Sequence, residues 1–154
     1  MRDLFYAGPL SPEIGALLEQ AMGAYADTAK AEQLLRQAWD EAPEALPVYF
    51  SLYKFYFYKG RLEEAEAAAR AALASAARQG GFPEDYERLT PDTTDWGRYD
   101  SPQHFYLFSL KALAFIRLRQ GDLAGCRKIL AKLNELDRAD TVGGSVIGAM
   151  AAGL

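Results

Sequence analysis

Residues 49–73 follow the pattern Tyr49-x2-Leu52-Tyr53-x2-Tyr56-x3-Gly60-x-Leu62-x2-Ala65-x3-Ala69-x2-Ala72-Leu73. Apolar positions three and four apart form two helical stripes, and a single glycine separates them. The second stripe is built of small residues, which lets two antiparallel helices pack closely around a tight turn. The pattern returns as Leu110-x2-Leu113-x3-Arg117-x3-Gly121-x-Leu123-x2-Cys126-x3-Leu130-x2-Leu133. A fainter copy runs upstream through Leu18, Met22, Ala26, Ala31, Leu35, Ala38 and Pro43. From Ala26 to Gly60 is 34 residues, and from Gly60 to Gly121 is 61, one such period plus 27.

A 34-residue period with these positions resembles the tetratricopeptide repeat (TPR) family. The resemblance spans roughly residues 12–137. Tyr49 stands where the family usually has Trp, Tyr53 where it has Gly, and Ala69 where it has an aromatic residue. The third copy carries Arg117 at a usual Tyr and Cys126 at a usual Ala. The resemblance implies an all-α fold, a short right-handed TPR-like solenoid of about three helix-turn-helix repeats. These would cover about residues 12–45, 46–79 and 107–137 of a single domain, 1–154. An insertion at about 80–106 lies between repeats 2 and 3, and a tail follows at 138–154.

The chain has 154 residues, half of them apolar, enough for one continuous core. No run of about 18 apolar residues is present to span a bilayer. Met1-Arg2-Asp3, followed by Pro9, Pro12 and Glu13, leaves no room for a signal-peptide core. One cysteine rules out an internal disulfide framework. A cytoplasmic protein is the simplest reading. The net charge of −4 and the mixing of Lys and Arg among acids argue against nucleic acid, because phosphate binding needs clustered cations.

Cap and breaker residues predict helices at about 12–25, 28–41, 45–59, 61–79, 102–119 and 122–136. Ser11-Pro12 and Ser101-Pro102 begin two of them, with a hydroxyl at the cap and a proline that needs no donor. Gly60 and Gly121 fall just past helix ends, where positive φ is required. The insertion carries Phe82, Tyr86, Trp96 and Tyr99, too aromatic for a flexible linker. It is expected to pack on the helices, with a short helical turn near 84–89, and Trp96 is also a candidate partner contact. Residues 142–154 hold no charge. This tail is expected to fold back on the last repeat, with Ser145 capping a helix through Met150, or to be covered by a partner.

Residue chemistry gives little support to an enzyme, and no metal site or cofactor is expected. His104, at a helix start, is expected at the surface or as a capping residue. Cys126 falls on a packing position, where thiols are inert. One Cys and one His cannot form a typical zinc set.

Seven of the ten residues from 49 to 58 are aromatic, and a helix apolar all round must be covered on both sides. In TPR solenoids the first helix of each pair lines the concave surface. The resemblance therefore puts Tyr49, Leu52, Tyr53 and Tyr56 in the core. Phe50, Lys54, Phe57 and Tyr58 then face inward, joined from the third copy by Lys111, Phe115, Leu118 and Arg119. Rings mixed with cations suit a partner segment carrying apolar anchors and an acidic group. Alternatively the tail, the N-terminal arm or the insertion fills this groove. The only Asn, Asn134, lies on a second helix, unlike the paired Asn side chains by which TPR co-chaperones grip C-terminal carboxylates.

The expected function is a non-catalytic adaptor, chaperone or assembly factor that docks on a larger protein. Small stand-alone three-repeat proteins resemble bacterial type III secretion chaperones. The overall size and the stretch Leu136-Asp137-Arg138-Ala139-Asp140-Thr141-Val142-Gly143-Gly144-Ser145-Val146-Ile147 resemble TPR proteins associated with bacterial nitrogen fixation. The latter resemblance implies docking on the nitrogenase molybdenum–iron protein. A self-associating structural protein, forming a homodimer through its tail and exposed rings, is the third alternative.

Overall fold

The computed structural model describes residues 10–153. The expectations about a signal-peptide core and an N-terminal arm in the groove fall largely on residues 1–9, outside the described residues. Among the described residues the fold is all-α. It comprises α1 (Pro12–Gly23), α2 (Thr28–Glu41), α3 (Leu46–Tyr58), α4 (Leu62–Gly80), α5 (Pro102–Arg119), α6 (Leu123–Leu136) and α7 (Gly144–Ala152), with no strand. A 3-10 turn at Tyr86–Arg88 lies between α4 and α5. Each helix packs on its neighbour in sequence, and α5 also touches α3 and α7.

Side-chain caps set most starts. Ser11 Oγ accepts the Ile14 N–H, Asp27 accepts Lys30, Ser101 accepts His104 and Asp122 accepts Gly125. Two helix ends share one turn. The Gly60 N–H bonds the Phe57 carbonyl and Arg61 N–H bonds Tyr56, while Gly121 bonds Leu118 and Asp122 bonds Arg117. This Schellman arrangement needs a left-handed residue, supplied by φ of 76° at Gly60 and 84° at Gly121. A Cβ at Gly60 would meet nothing within 4 Å, so only the backbone resists substitution. Gly60→Ala should therefore lower stability by about 1 kcal/mol, read from urea denaturation. An unchanged midpoint would mean that the turn relaxes freely.

Helix α4 is the spine. Ala65, Ala68, Ala69, Ala72, Ala76 and Ala77 are buried, and their small side chains let α3 and α5 both approach it. Alanine also loses the least on entering a helix. Against it α3 buries Leu46, Val48, Tyr49, Leu52, Tyr53, Phe55 and Tyr56, each contributing roughly 1.5–3 kcal/mol when fully covered. The tyrosine hydroxyls stay satisfied at the edges of this core: Tyr49 donates to the Pro43 carbonyl, Tyr53 pairs with Ser109 Oγ and Tyr56 donates to Glu32. The upstream copy departs from its expected stripe. Ile14 and Ala21 carry the buried side of α1, whereas Met22 is 76% exposed; among the described elements α1 packs chiefly on α2.

Glu32 locks α2 to the turn before α4. Arg61 reaches both of its oxygens at 2.8 and 3.1 Å and also holds Glu64. Hydrogen bonds from Arg61 and then Tyr56 outweigh burial and hold the Glu32 carboxyl below its usual range. A depressed folded pKa gives stability that is present above the unfolded value of about 4.3 and is lost as pH falls through the folded one. Melting temperature should fall on acidification below about pH 4.5, and Glu32→Gln should flatten that fall. An identical pH dependence in the variant would show that other carboxylates carry it.

The insertion packs as expected but by long-range contacts. Phe82, Leu89 and Trp96 are buried. Lys132 Nζ donates to the Leu89 carbonyl at 2.6 Å, and Lys128 pairs with Glu87, tying the 3-10 turn to α6. Tyr106 Oη donates to the Glu84 carbonyl. The tail forms α7, which folds back on α6 and α5. Its cap differs from expectation: Gly143, at φ 79°, precedes the helix, and Ser145 instead donates through its N–H and Oγ to Asp140.

Candidate functional site

Between α3 and α5 runs an open trough of about 250 Å³, lined by Phe50, Tyr53, Lys54, Phe57, Tyr58, Phe108, Lys111, Ala112, Phe115 and Ile116. Phe50, Lys54 and Phe57 project from one wall at helical spacing, and Phe108, Lys111 and Phe115 from the other. The walls meet ring to ring. Phe50 and Phe108 centroids are 5.7 Å apart, and those of Phe57 and Phe115 are 4.7 Å apart. The floor is Tyr53 and Ile116, both buried. Burial pushes the Tyr53 phenol well above its usual value, opposed by its bond to Ser109, so the floor stays neutral at any physiological pH.

Three cations rim this surface. Lys54 Nζ sits 5.5 Å from the Phe50 centroid, Lys111 Nζ 4.8 Å from Phe108, and the Arg119 guanidinium 5.4 Å from Phe57. Burial lowers the Lys111 ammonium pKa, opposed by the charge of Asp140. Among the described residues, no carboxylate lines the trough.

Of the residues expected on the inner face, the structure brings together Phe50, Lys54, Phe57, Tyr58, Lys111 and Phe115. Arg119 joins them at one end through Phe57. Leu118 is half-buried at that end of α5 and packs on the core. Sequence reasoning missed Phe108, Ala112 and Ile116, although the four-residue steps from Phe108 to Ala112 to Ile116 continue the same stripe. Trp96 lies elsewhere. It is 7% exposed, packs against Phe82 and Tyr106 at 5.1 and 6.0 Å, and donates its Nε1–H to the Thr90 carbonyl. The indole thus packs within the insertion and not on the trough. No described residue of the tail or the insertion lines the trough.

His104 is corrected from its expected surface place: it is 3% exposed, with its ring 5.1 Å from Tyr99. Cys126 is buried, and burial raises its thiol pKa, the environment of an unreactive thiol. Among the described residues, no group of three or more His, Cys, Asp or Glu side chains could hold a metal ion. Nor is any described helix long and apolar enough to cross a membrane.

Fold and site together define an all-helical protein with an aromatic, cation-rimmed trough. No family model matches the chain, and no solved structure does. It is 30% identical over 146 residues to an uncharacterized 19.8 kDa protein in the nifW 5' region of Azotobacter chroococcum mcd 1, a match spanning 94% of this chain and 81% of that one. The chain belongs to the family of that protein.

Proposed function

We propose that this protein is a non-catalytic accessory protein that docks on a larger bacterial complex by holding part of it in the trough between α3 and α5. The carrying observation is the trough itself, where rings and cations alternate along both walls with no acid among the described lining residues. Aromatic side chains and Arg are enriched among the residues that dominate binding energy at protein interfaces. In this reading the helices form a short right-handed TPR-like solenoid, with repeats at about 12–45, 46–79 and 107–137. The matching turns at Gly60 and Gly121 support that arrangement.

The family relative in the nifW 5' region favours nitrogen fixation as the setting, and we assign the nitrogenase molybdenum–iron protein as the partner. The test is affinity capture of the tagged chain from nitrogen-fixing cells, with the molybdenum–iron protein measured in the eluate. Its enrichment over a tag-only control is expected. Its absence would remove this partner.

Self-association is a second reading, favoured by Val146 and Met150, exposed on the uncharged α7. Light scattering decides it: a mass that rises with concentration, and does not rise after Val146→Glu, is the expected signature of that reading.

A further inference from the structure

We infer that the trough takes an extended, acidic segment of the partner, in which one apolar residue is flanked at alternate positions by two carboxylates. This rests on the docking reading above and adds the chemistry and register of what docks.

The register comes from α5. Lys111, Phe115 and Arg119 follow one another at steps of four, which places successive members about 6 Å apart along the helix axis. In an extended chain, alternate residues share one face and lie about 6.6 Å apart. Residues i, i+2 and i+4 of such a segment, running along α5, therefore come opposite Lys111, Phe115 and Arg119 in turn. The α3 wall matches, with Lys54 beside the first position and Phe57 and Tyr58 beside the second. Tyr58 is 64% exposed, so its ring is available to close over an apolar side chain seated at Phe57 and Phe115.

The charge comes from what is missing. Lys54, Lys111 and Arg119, like Lys30, Lys59, Arg88, Arg127 and Arg138, make no ion pair with any described residue, and these three sit over the rings of the trough. In a chain of net charge −4, three cations gather on an apolar surface whose described lining holds no carboxylate, with the Asp140 charge acting on Lys111 from outside that lining, and they form a local positive field. Their seats over aromatic rings hold them in place without neutralising them. The approach of a carboxylate to half-buried Lys111 is strengthened by the low local dielectric. A space of about 250 Å³ holds a few side chains, and the comparison of two-residue with four-residue spacing in the peptides below separates an extended chain from a helix.

The experiment uses the full chain and fluorescein-labelled peptides followed by anisotropy. The core Glu-Ser-Phe-Ser-Glu in neutral flanks is compared with Gln-Ser-Phe-Ser-Gln, with Glu-Glu-Phe-Ser-Ser, and with a longer peptide carrying Glu, Phe and Glu four residues apart. Binding of the first should be at least about tenfold tighter than of the other three and should weaken as salt is added. Lys111→Arg should keep it. Lys111→Glu should lose it and should instead gain binding of Lys-Ser-Phe-Ser-Gln, a reversal that a merely misfolded variant cannot give. Equal affinity for the Glu and Gln peptides, no binding at all, or preference for the four-residue spacing would each overturn the inference. So would a self-associated form that Lys111→Glu dissolves and the peptide does not displace. If acid dependence is absent while alanine at Phe57 and Phe115 still abolishes partner capture, this inference fails and the docking reading stands. If those rings prove dispensable, the docking reading fails first.

Discussion

Alanine at both Phe57 and Phe115 is expected to weaken partner capture by about 100-fold or more, the effect of losing two central anchors. The two rings form the tightest contact across the trough, 4.7 Å between centroids at 40°. Both are half-buried, so much of what they could bury remains for a partner. Their loss should lower the chain's own stability by about 1 kcal/mol each, half of what a fully covered ring contributes. The helical circular dichroism signal should therefore persist, because the α3 and α5 cores rest on Leu52, Tyr53, Tyr56, Leu110 and Leu113 beneath the rings. Capture of the molybdenum–iron protein, or of whichever chain co-purifies, is measured for wild type and double variant in parallel. A folded variant that captures as well as wild type refutes docking through this trough. A variant that unfolds shows that the rings belong to the core.

What the sequence made legible follows from local physics. Helices α2 and α5 begin and end where their residues say, at Thr28–Glu41 and Pro102–Arg119, because Asp27 and Ser101 carry caps that act within four residues. The repeat resemblance separated the sides of α3, and the tyrosines it turned inward satisfy their hydroxyls within the fold. Tyr49, Tyr53 and Tyr56 do so with Pro43, Ser109 and Glu32. What stayed hidden depends on contacts far apart in the chain. Met22 reads as a core residue from its spacing, yet it is 76% exposed on α1. Asp140 adopts φ 58° without a glycine to signal it, and its carboxylate takes over the capping expected of Ser145. His104 is buried at the start of α5, with Tyr99 of the insertion against its ring, and nothing in its immediate neighbours foretells that. The trough was visible as a periodic mixture of rings and cations. Its contact between Phe57 and Phe115 joins residues 58 apart in sequence and needed the fold.

The insertion supplies the second large expected effect. Trp96→Ala should destabilise the chain by about 3 kcal/mol, the lower end for emptying a buried indole site, and lower the melting temperature by about 10 °C for a chain of this size. The indole fills the space between Phe82 and Tyr106, and its Nε1–H ties the Thr90 carbonyl to the same cluster. Removing it takes the central member from an aromatic trio that holds residues 81–101 on α5. The loss should therefore appear locally first, as faster proteolysis of the insertion at temperatures where the helices are intact. Capture of the partner by the remaining folded molecules should be unchanged, because no described residue of the insertion lines the trough. The opposite pattern, an unchanged melting temperature with capture lost, would make the indole a partner contact and would mean that the insertion opens when the protein docks. The two double-ring and indole variants thus separate the parts of the molecule: one empties the surface offered to a partner, the other the plug that fixes the insertion to the helices behind it.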